Sequence, residues 1–192
     1  KKITIRKLVE KFNLDLRLTP NQDVLICNIL NKNKCEIESV LKDIGYGNLN
    51  KINEIQRHAL ACPALPLCGL AMTEAERILP DILERIDNLL KSLNIEKTIL
   101  FRITGCPNGC SRPYMAELAL VGSGLNKYQL WLGGSKNLQR LAKPYLQRMP
   151  LESMESTLTP LLNEWRKYEQ KLDFGDFIDK NEDSFIMDLL NN

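Results

Sequence analysis

The chain has 192 residues, 44% hydrophobic and 26% charged, with 26 basic against 24 acidic side chains and a formal net charge of +2. That length allows one domain or a domain plus a smaller piece, and the ordinary composition excludes a disordered or fibrous polymer. The balanced charge makes no case for nucleic acid or a membrane surface as partner, and no apolar run reaches the roughly 20 residues of a membrane helix.

No secretory signal opens the chain, so an intracellular, cytoplasmic location is expected. The start at Lys1-Lys2-Ile3, without an initiator Met, is what a fragment or processed product would give. In a reducing compartment the six cysteines point to metal or redox chemistry rather than to a disulfide framework.

From Thr4 to Asn13, Ile5, Leu8, Val9 and Phe12 recur with the period of an amphipathic helix. Two strands follow, Leu14 to Leu18 and Val24 to Leu30, separated by the turn signal Pro20-Asn21. A second helix fits Glu36 to Ile44, with Gly45 as its stop. Helix, strand, strand, helix in about 45 residues is near the lower limit of independent stability, so this unit is expected to pack against something more. Residues 46–61 show little periodicity and read as a linker.

Thr73 followed by Glu76 reads as a capping box opening a long helix to about Ser92, bent or restarted at Pro80. Its mixed charges, Glu84, Arg85, Asp87 and Lys91, read as a solvated face. Thr98 to Thr104 reads as a buried strand; Ala116–Val121 and Tyr128–Leu132 read as two more, joined by a turn at Gly122-Ser123-Gly124. Beyond Gly134 the pattern returns to helix, clearest from Leu151 to Tyr168, with Pro160 kinking or dividing it and Trp165 and Tyr168 in the core. The polar end, residues 181–192, is expected to fray. The fold class predicted is α+β, a mixed sheet with flanking helices.

Cys62-Pro-Ala-Leu-Pro-Leu-Cys68 and Cys106-Pro-Asn-Gly-Cys110 form two pairs, C-x5-C and C-x3-C, 37 residues apart. Four thiolates suit an iron-sulfur cluster, whose sulfurs are tuned by hydrogen bonds. Pro63 and Pro66 stiffen the first loop, while Gly105 and Gly109 let the second backbone approach something bulky. Structural zinc is a rival, although its knuckles favour shorter gaps in both halves, and buried free thiols are another. Spacing alone leaves all three open. Cys27 and Cys35 read as structural, and His58, the single histidine, as packed or solvent-facing.

Ala61–Cys68 with the helix opening Thr73-Glu74-Ala75-Glu76-Arg77, and Thr104–Cys110 with Arg112–Leu118 and Tyr128–Gly134, resemble the two cluster motifs of the nitrite/sulfite reductase family. Thr19–Gln22 and Phe174–Phe177 extend the resemblance over nearly the whole chain. It looks most like the C-terminal portion of the ferredoxin-dependent sulfite reductases. The resemblance implies a 4Fe-4S cluster on Cys62, Cys68, Cys106 and Cys110, with Cys110 also an axial ligand to siroheme. It further implies that Asn108 borders the siroheme and that Met72 packs on the cluster; ordinary core packing is the alternative for Met72.

The activity implied is six-electron reduction of sulfite to sulfide with electrons from ferredoxin, in the cytoplasm or in a plastid stroma. A ferredoxin-nitrite reductase and a non-catalytic four-cysteine zinc or scaffold fragment are the alternatives. The domains implied are residues 1–48, a partial ferredoxin-like unit; residues 49–180, the siroheme and 4Fe-4S domain; and residues 181–192, a polar tail. The residues that grip sulfite would come from the N-terminal half of the same enzyme, leaving the isolated chain inactive. The cations that would gather to dock ferredoxin are drawn from Lys7, Arg17, Lys127, Lys136, Arg140, Lys143 and Arg148.

Overall fold

The computed structural model describes residues 1–21, 23–46 and 52–191. The chain divides into two compact units, Lys1–Asn53 and Glu54–Asn192. The expected boundary at 48/49, the middle of the expected linker and Gln22 of the Thr19–Gln22 motif lie outside the described residues.

The first unit runs α1 (Lys2–Phe12), β1 (Asp15–Leu18), β2 (Val24–Cys27) and α2 (Lys34–Asp43), the order expected from its periodicity. Asn13, in the left-handed region at φ 51°, caps α1 by donating its amide to the Val9 carbonyl. The chain then turns into an antiparallel hairpin with Asp15 opposite Cys27 and Leu18 opposite Val24. Leu8, Leu14 and Ile37 form a small core, with Val9, Phe12, Ile26, Val40 and Leu41 packed around it. Leu16, Leu18, Val24 and Leu25 remain exposed on the hairpin, as a two-stranded sheet has too little surface to cover them.

The second unit is built on a sheet of order β3-β4-β5-β6-β7. It begins with α3 (Glu54–His58) and β3 (Leu60–Ala61), followed by α4 (Leu79–Ser92), β4 (Phe101–Thr104), β5 (Leu118–Gly124), β6 (Lys127–Leu132) and β7 (Lys143–Pro150). The helices α5 (Met154–Arg166), α6 (Phe174–Lys180) and α7 (Asp183–Asn191) complete it. β3, β4 and β5 run parallel, and β5, β6 and β7 antiparallel, so the sheet is mixed and the class α+β.

Strand alternation sorts the sheet into two faces. One carries Phe101, Ile103, Leu118, Leu120, Leu130 and Leu132, all buried with Ile82, Ile86, Leu158, Leu161 and Trp165 of the helices. The other carries Arg102 and Thr104, with Arg102 in register with Ala119 and Ala119 with Trp131.

Several local expectations are corrected. Residues 54–61, expected as linker, form α3 and β3, because Ile55 is buried and β3 pairs with β4. Thr73 caps no helix: α4 begins at Leu79 after a 3-10 turn at Glu76–Ile78, and the fully buried Thr73 hydroxyl is held instead by Tyr128 Oη at 3.1 Å and the Asn126 amide at 3.1 Å. Pro80 lies in the first turn of α4, where its missing N–H costs nothing.

Gly122-Ser123-Gly124 is not the turn but the bulged end of β5; the reversal falls at Leu125–Asn126, with Asn126 at φ 52°. Gly122 is small because a Cβ there would lie 2.3 Å from the Gly105 carbonyl oxygen. The stretch after Gly134, expected as helix, contains β7. Pro160 sits inside α5 without dividing it. Tyr168 is 46% exposed, its ring stacked on Phe177 at 5.8 Å. Residues 183–191 are helical, anchored by buried Ile186 and Leu190 rather than frayed.

Candidate metal centre

The two cysteine loops leave the same end of the sheet. β3 and β4 are parallel with Ala61 opposite Ile103, so Cys62 and Cys106 both follow carboxyl ends of adjacent strands. The first loop is a compact turn: the Cys68 amide donates to the Ala64 carbonyl at 2.8 Å, and the Ala71 amide to the Cys68 carbonyl at 3.1 Å. The Leu65–Pro66 bond within it is cis. The Cys62 carbonyl accepts the Glu76 amide at 3.1 Å, so the start of the helical segment is fixed to the first cysteine by tertiary contact.

Two strand residues and a glycine interlock the loops. The Ile103 carbonyl accepts the Cys62 amide at 3.3 Å and the Ser111 hydroxyl at 2.7 Å. The Cys62 sulfur accepts the Thr104 hydroxyl at 3.3 Å and the Gly105 amide at 3.2 Å, and the Gly105 carbonyl in turn accepts the amides of Met72 at 2.8 Å and Thr73 at 3.3 Å. A Cβ on Gly105 would stand 2.6 Å from Ala64 Cβ and 2.8 Å from the Thr73 oxygen, closer than carbon packing tolerates. Only glycine lets the loops meet.

The second loop is propped from beneath by Tyr114. Its hydroxyl donates to the Pro107 carbonyl at 2.7 Å, and its ring lies 4.5 Å from Trp131. Gly109 adopts φ +68°, and a Cβ there would meet Tyr114 at 2.7 Å. Burial first, and the Cys106 sulfur second, push the Tyr114 hydroxyl above its ordinary pKa.

The thiols differ in exposure. Cys62 and Cys106 are buried, Cys68 is partly covered and Cys110 is exposed, and none is in a disulfide. Asn108 is exposed beside Cys110 at the loop tip. Met72 is 45% exposed; with Leu67 and Leu70, also exposed, it makes an apolar surface around the first loop. Among the described residues no group of three or more His, Cys, Asp and Glu side chains converges on a point able to hold a metal ion.

His58 stays apart. It is exposed at the end of α3 and lines a separate cleft with Glu54, Thr98, Ile99, Leu100 and Lys136, at the amino ends of the strands whose carboxyl ends carry the cysteines. Cys27 and Cys35 lie in β2 and α2 of the first unit. The charged face expected on α4 is partly engaged, since Arg85 makes a paired bond to Glu155 on α5 at 2.5 and 2.6 Å. Of the expected docking cations, Lys136 pairs with Asp173, Lys143 with Asp183, and Arg140 with Asp176 and Asp179.

Sequence reasoning missed Arg102, Thr104, Ser111 and Tyr114. One signal was available: Arg102 interrupts an otherwise apolar strand, and an arginine is rarely fully buried without a purpose.

The fold has a counterpart in the structure of the Mycobacterium tuberculosis NirA protein, with a TM-score of 0.73 over 95% of this chain and 36% of that one at 18% identity. By sequence, the chain is 47% identical over 92% of its length to a ferredoxin sulfite reductase of Synechococcus elongatus. It is also 39% identical over 91% of its length to the hemoprotein beta-component of an NADPH sulfite reductase of Oceanobacillus iheyensis. No family model matches. The chain is a relative of the sulfite reductases and corresponds to part of them: it spans 28% and 31% of the lengths of these two proteins.

Proposed function

We propose that this chain supplies the cysteine ligands of a sulfite reductase: Cys62, Cys68, Cys106 and Cys110 hold a 4Fe-4S cluster, and Cys110 also ligates a siroheme iron. The observation that carries the reading is the Cys62 sulfur, buried and already receiving two hydrogen bonds, from Thr104 Oγ1 and the Gly105 amide. Thiolates bound to iron-sulfur clusters are stabilised and tuned by such donors. The gradient from buried Cys62 and Cys106 to exposed Cys110 fits one thiolate shared with a larger group outside the loop. Exposed Asn108 and the apolar surface of Leu67, Leu70 and Met72 are suited to border that group and to shed water when covered.

When bound, the two cofactors would supply the one-electron redox chemistry, with Cys62, Cys68, Cys106 and Cys110 holding them. This chain's part is to hold the thiolates, exclude water from Cys62 and Cys106, and present Cys110. Ferredoxin is the electron donor proposed, because the 47% relative carries that name. The cationic grip on sulfite falls to the N-terminal half of the same enzyme, and the compartment is the cytoplasm or a plastid stroma.

Anaerobic purification followed by iron, acid-labile sulfide and zinc analysis, with visible spectra, tests the reading. Four irons with matching sulfide and a siroheme absorption are expected. Zinc as the only metal would overturn it. The chain alone is expected to turn over no sulfite until the N-terminal half is added, and robust turnover by the chain alone would remove that division of labour.

A further inference from the structure

Arg102 lies in the middle of β4 and is 2% exposed. One of its guanidinium nitrogens donates to the Arg112 carbonyl at 2.9 Å, and its Nε has no partner. Among the described residues no carboxylate pairs with it. A buried charge without a counter-ion is strongly disfavoured, so a cation kept here calls for an anion that none of the described residues provides. Burial, and then the neighbouring Arg112, lower the Arg102 pKa.

The position says which anion. Arg102 and Thr104 stand two residues apart on one face of β4, and the Thr104 hydroxyl touches the Cys62 sulfur. The carbonyl that Arg102 grips belongs to Arg112, two residues beyond Cys110, while Ser111 between them is tied to Ile103 of the same strand.

We infer that Arg102 is a positioning residue of the cysteine centre, fixing the Cys110 loop through the Arg112 carbonyl and setting a buried positive charge beside the anionic four-thiolate cluster. The inference rests on the cluster reading above. A four-thiolate iron-sulfur centre carries net negative charge, and each electron it accepts makes it more negative. A buried cation on the same face, poorly screened by solvent, favours the reduced form and raises the reduction potential.

The test is redox potentiometry of the cluster-loaded protein, followed by its visible and electron paramagnetic resonance spectra, in wild type, Arg102→Gln and Arg102→Lys. Gln keeps a donor for the Arg112 carbonyl but loses the charge, and Lys keeps the charge. The expected result is a lower potential in Arg102→Gln and one near wild type in Arg102→Lys, with iron content and circular dichroism unchanged. Equal potentials in Arg102→Gln and wild type would overturn the inference. Failure of both variants to fold would also overturn it, leaving Arg102 a determinant of the fold alone. A wild-type protein that binds no four-iron cluster would fail at the first measurement and remove the cluster reading itself, which is a different outcome from a cluster whose potential ignores Arg102.

Discussion

The Gly105 amide points at the Cys62 sulfur from 3.2 Å, across 43 residues of sequence, and that one contact joins the two cysteine loops. The carbonyl of the same glycine receives the Met72 and Thr73 amides, so Gly105 is bonded to the first loop through both its N–H and its C=O.

Gly105→Ala is therefore expected to destabilise the protein by about 1–3 kcal/mol, the usual cost of overpacking, because a Cβ would collide with Ala64 and the Thr73 carbonyl. Gly69→Ala, where a Cβ meets nothing within 4 Å, is the control and should leave the melting temperature unchanged. Thermal denaturation of both distinguishes packing at the loop junction from a general intolerance of this loop.

Thr104→Val keeps the shape and removes the hydroxyl donor to Cys62. The expected cost is roughly 1 kcal/mol, the net worth of one buried hydrogen bond, read from chemical denaturation. In cluster-loaded protein the potential is expected to fall with it, since a donor to a ligating sulfur is lost. A potential identical to wild type would show that this hydroxyl does not act on the metal centre.

Arg85 and Glu155 bind α4 to α5, and the Arg85 guanidinium holds the Glu155 carboxyl below its ordinary pKa. A depressed carboxyl stabilises the fold above its unfolded value near 4.5, and that contribution is lost as pH falls through the lower folded value. Both side chains are partly solvated, at 25% and 35% exposure, so screening limits the effect to about 1 kcal/mol or less. Unfolding free energies measured from pH 7 to 3 should fall less steeply in Glu155→Gln than in wild type.

Glu117 behaves with the opposite sign. It is fully buried and accepts the Leu100 amide at 2.8 Å and the Gly175 amide at 2.9 Å, while burial raises its pKa. Its contribution is full below the ordinary carboxyl value and declines as pH rises through the raised one. Glu117→Gln removes this decline, but its NH2 must face one of two N–H donors, leaving a buried donor unpaired at a cost of about 1–3 kcal/mol. Lower stability at acid pH, with a flatter profile toward neutrality, is the expected outcome of denaturation across that range.

Helices with a clear apolar stripe were legible in the sequence: α1, α2, α4 and α5 appear where Leu8, Ile37, Ile86 and Leu158 recur with their neighbours. β7 was not, because Lys143–Pro150 carries only Tyr145 and Met149 as buried residues and two prolines, and its strand state comes from pairing with β6. Thr73 misled for a related reason. Its local pattern fits a helix cap, yet Tyr128 and Asn126, more than fifty residues away, claim its hydroxyl.

By itself the sequence determined the four cysteines, the glycines between them and the α+β alternation of elements, since spacing, turn chemistry and apolar period are local properties of a chain. Only the tertiary structure decided which thiol is donor-bound, which is exposed, and that Arg102 shares a face of β4 with Thr104, the donor to the Cys62 sulfur. Those facts depend on parallel pairing of β3, β4 and β5, and strand register brings together residues that no local pattern connects.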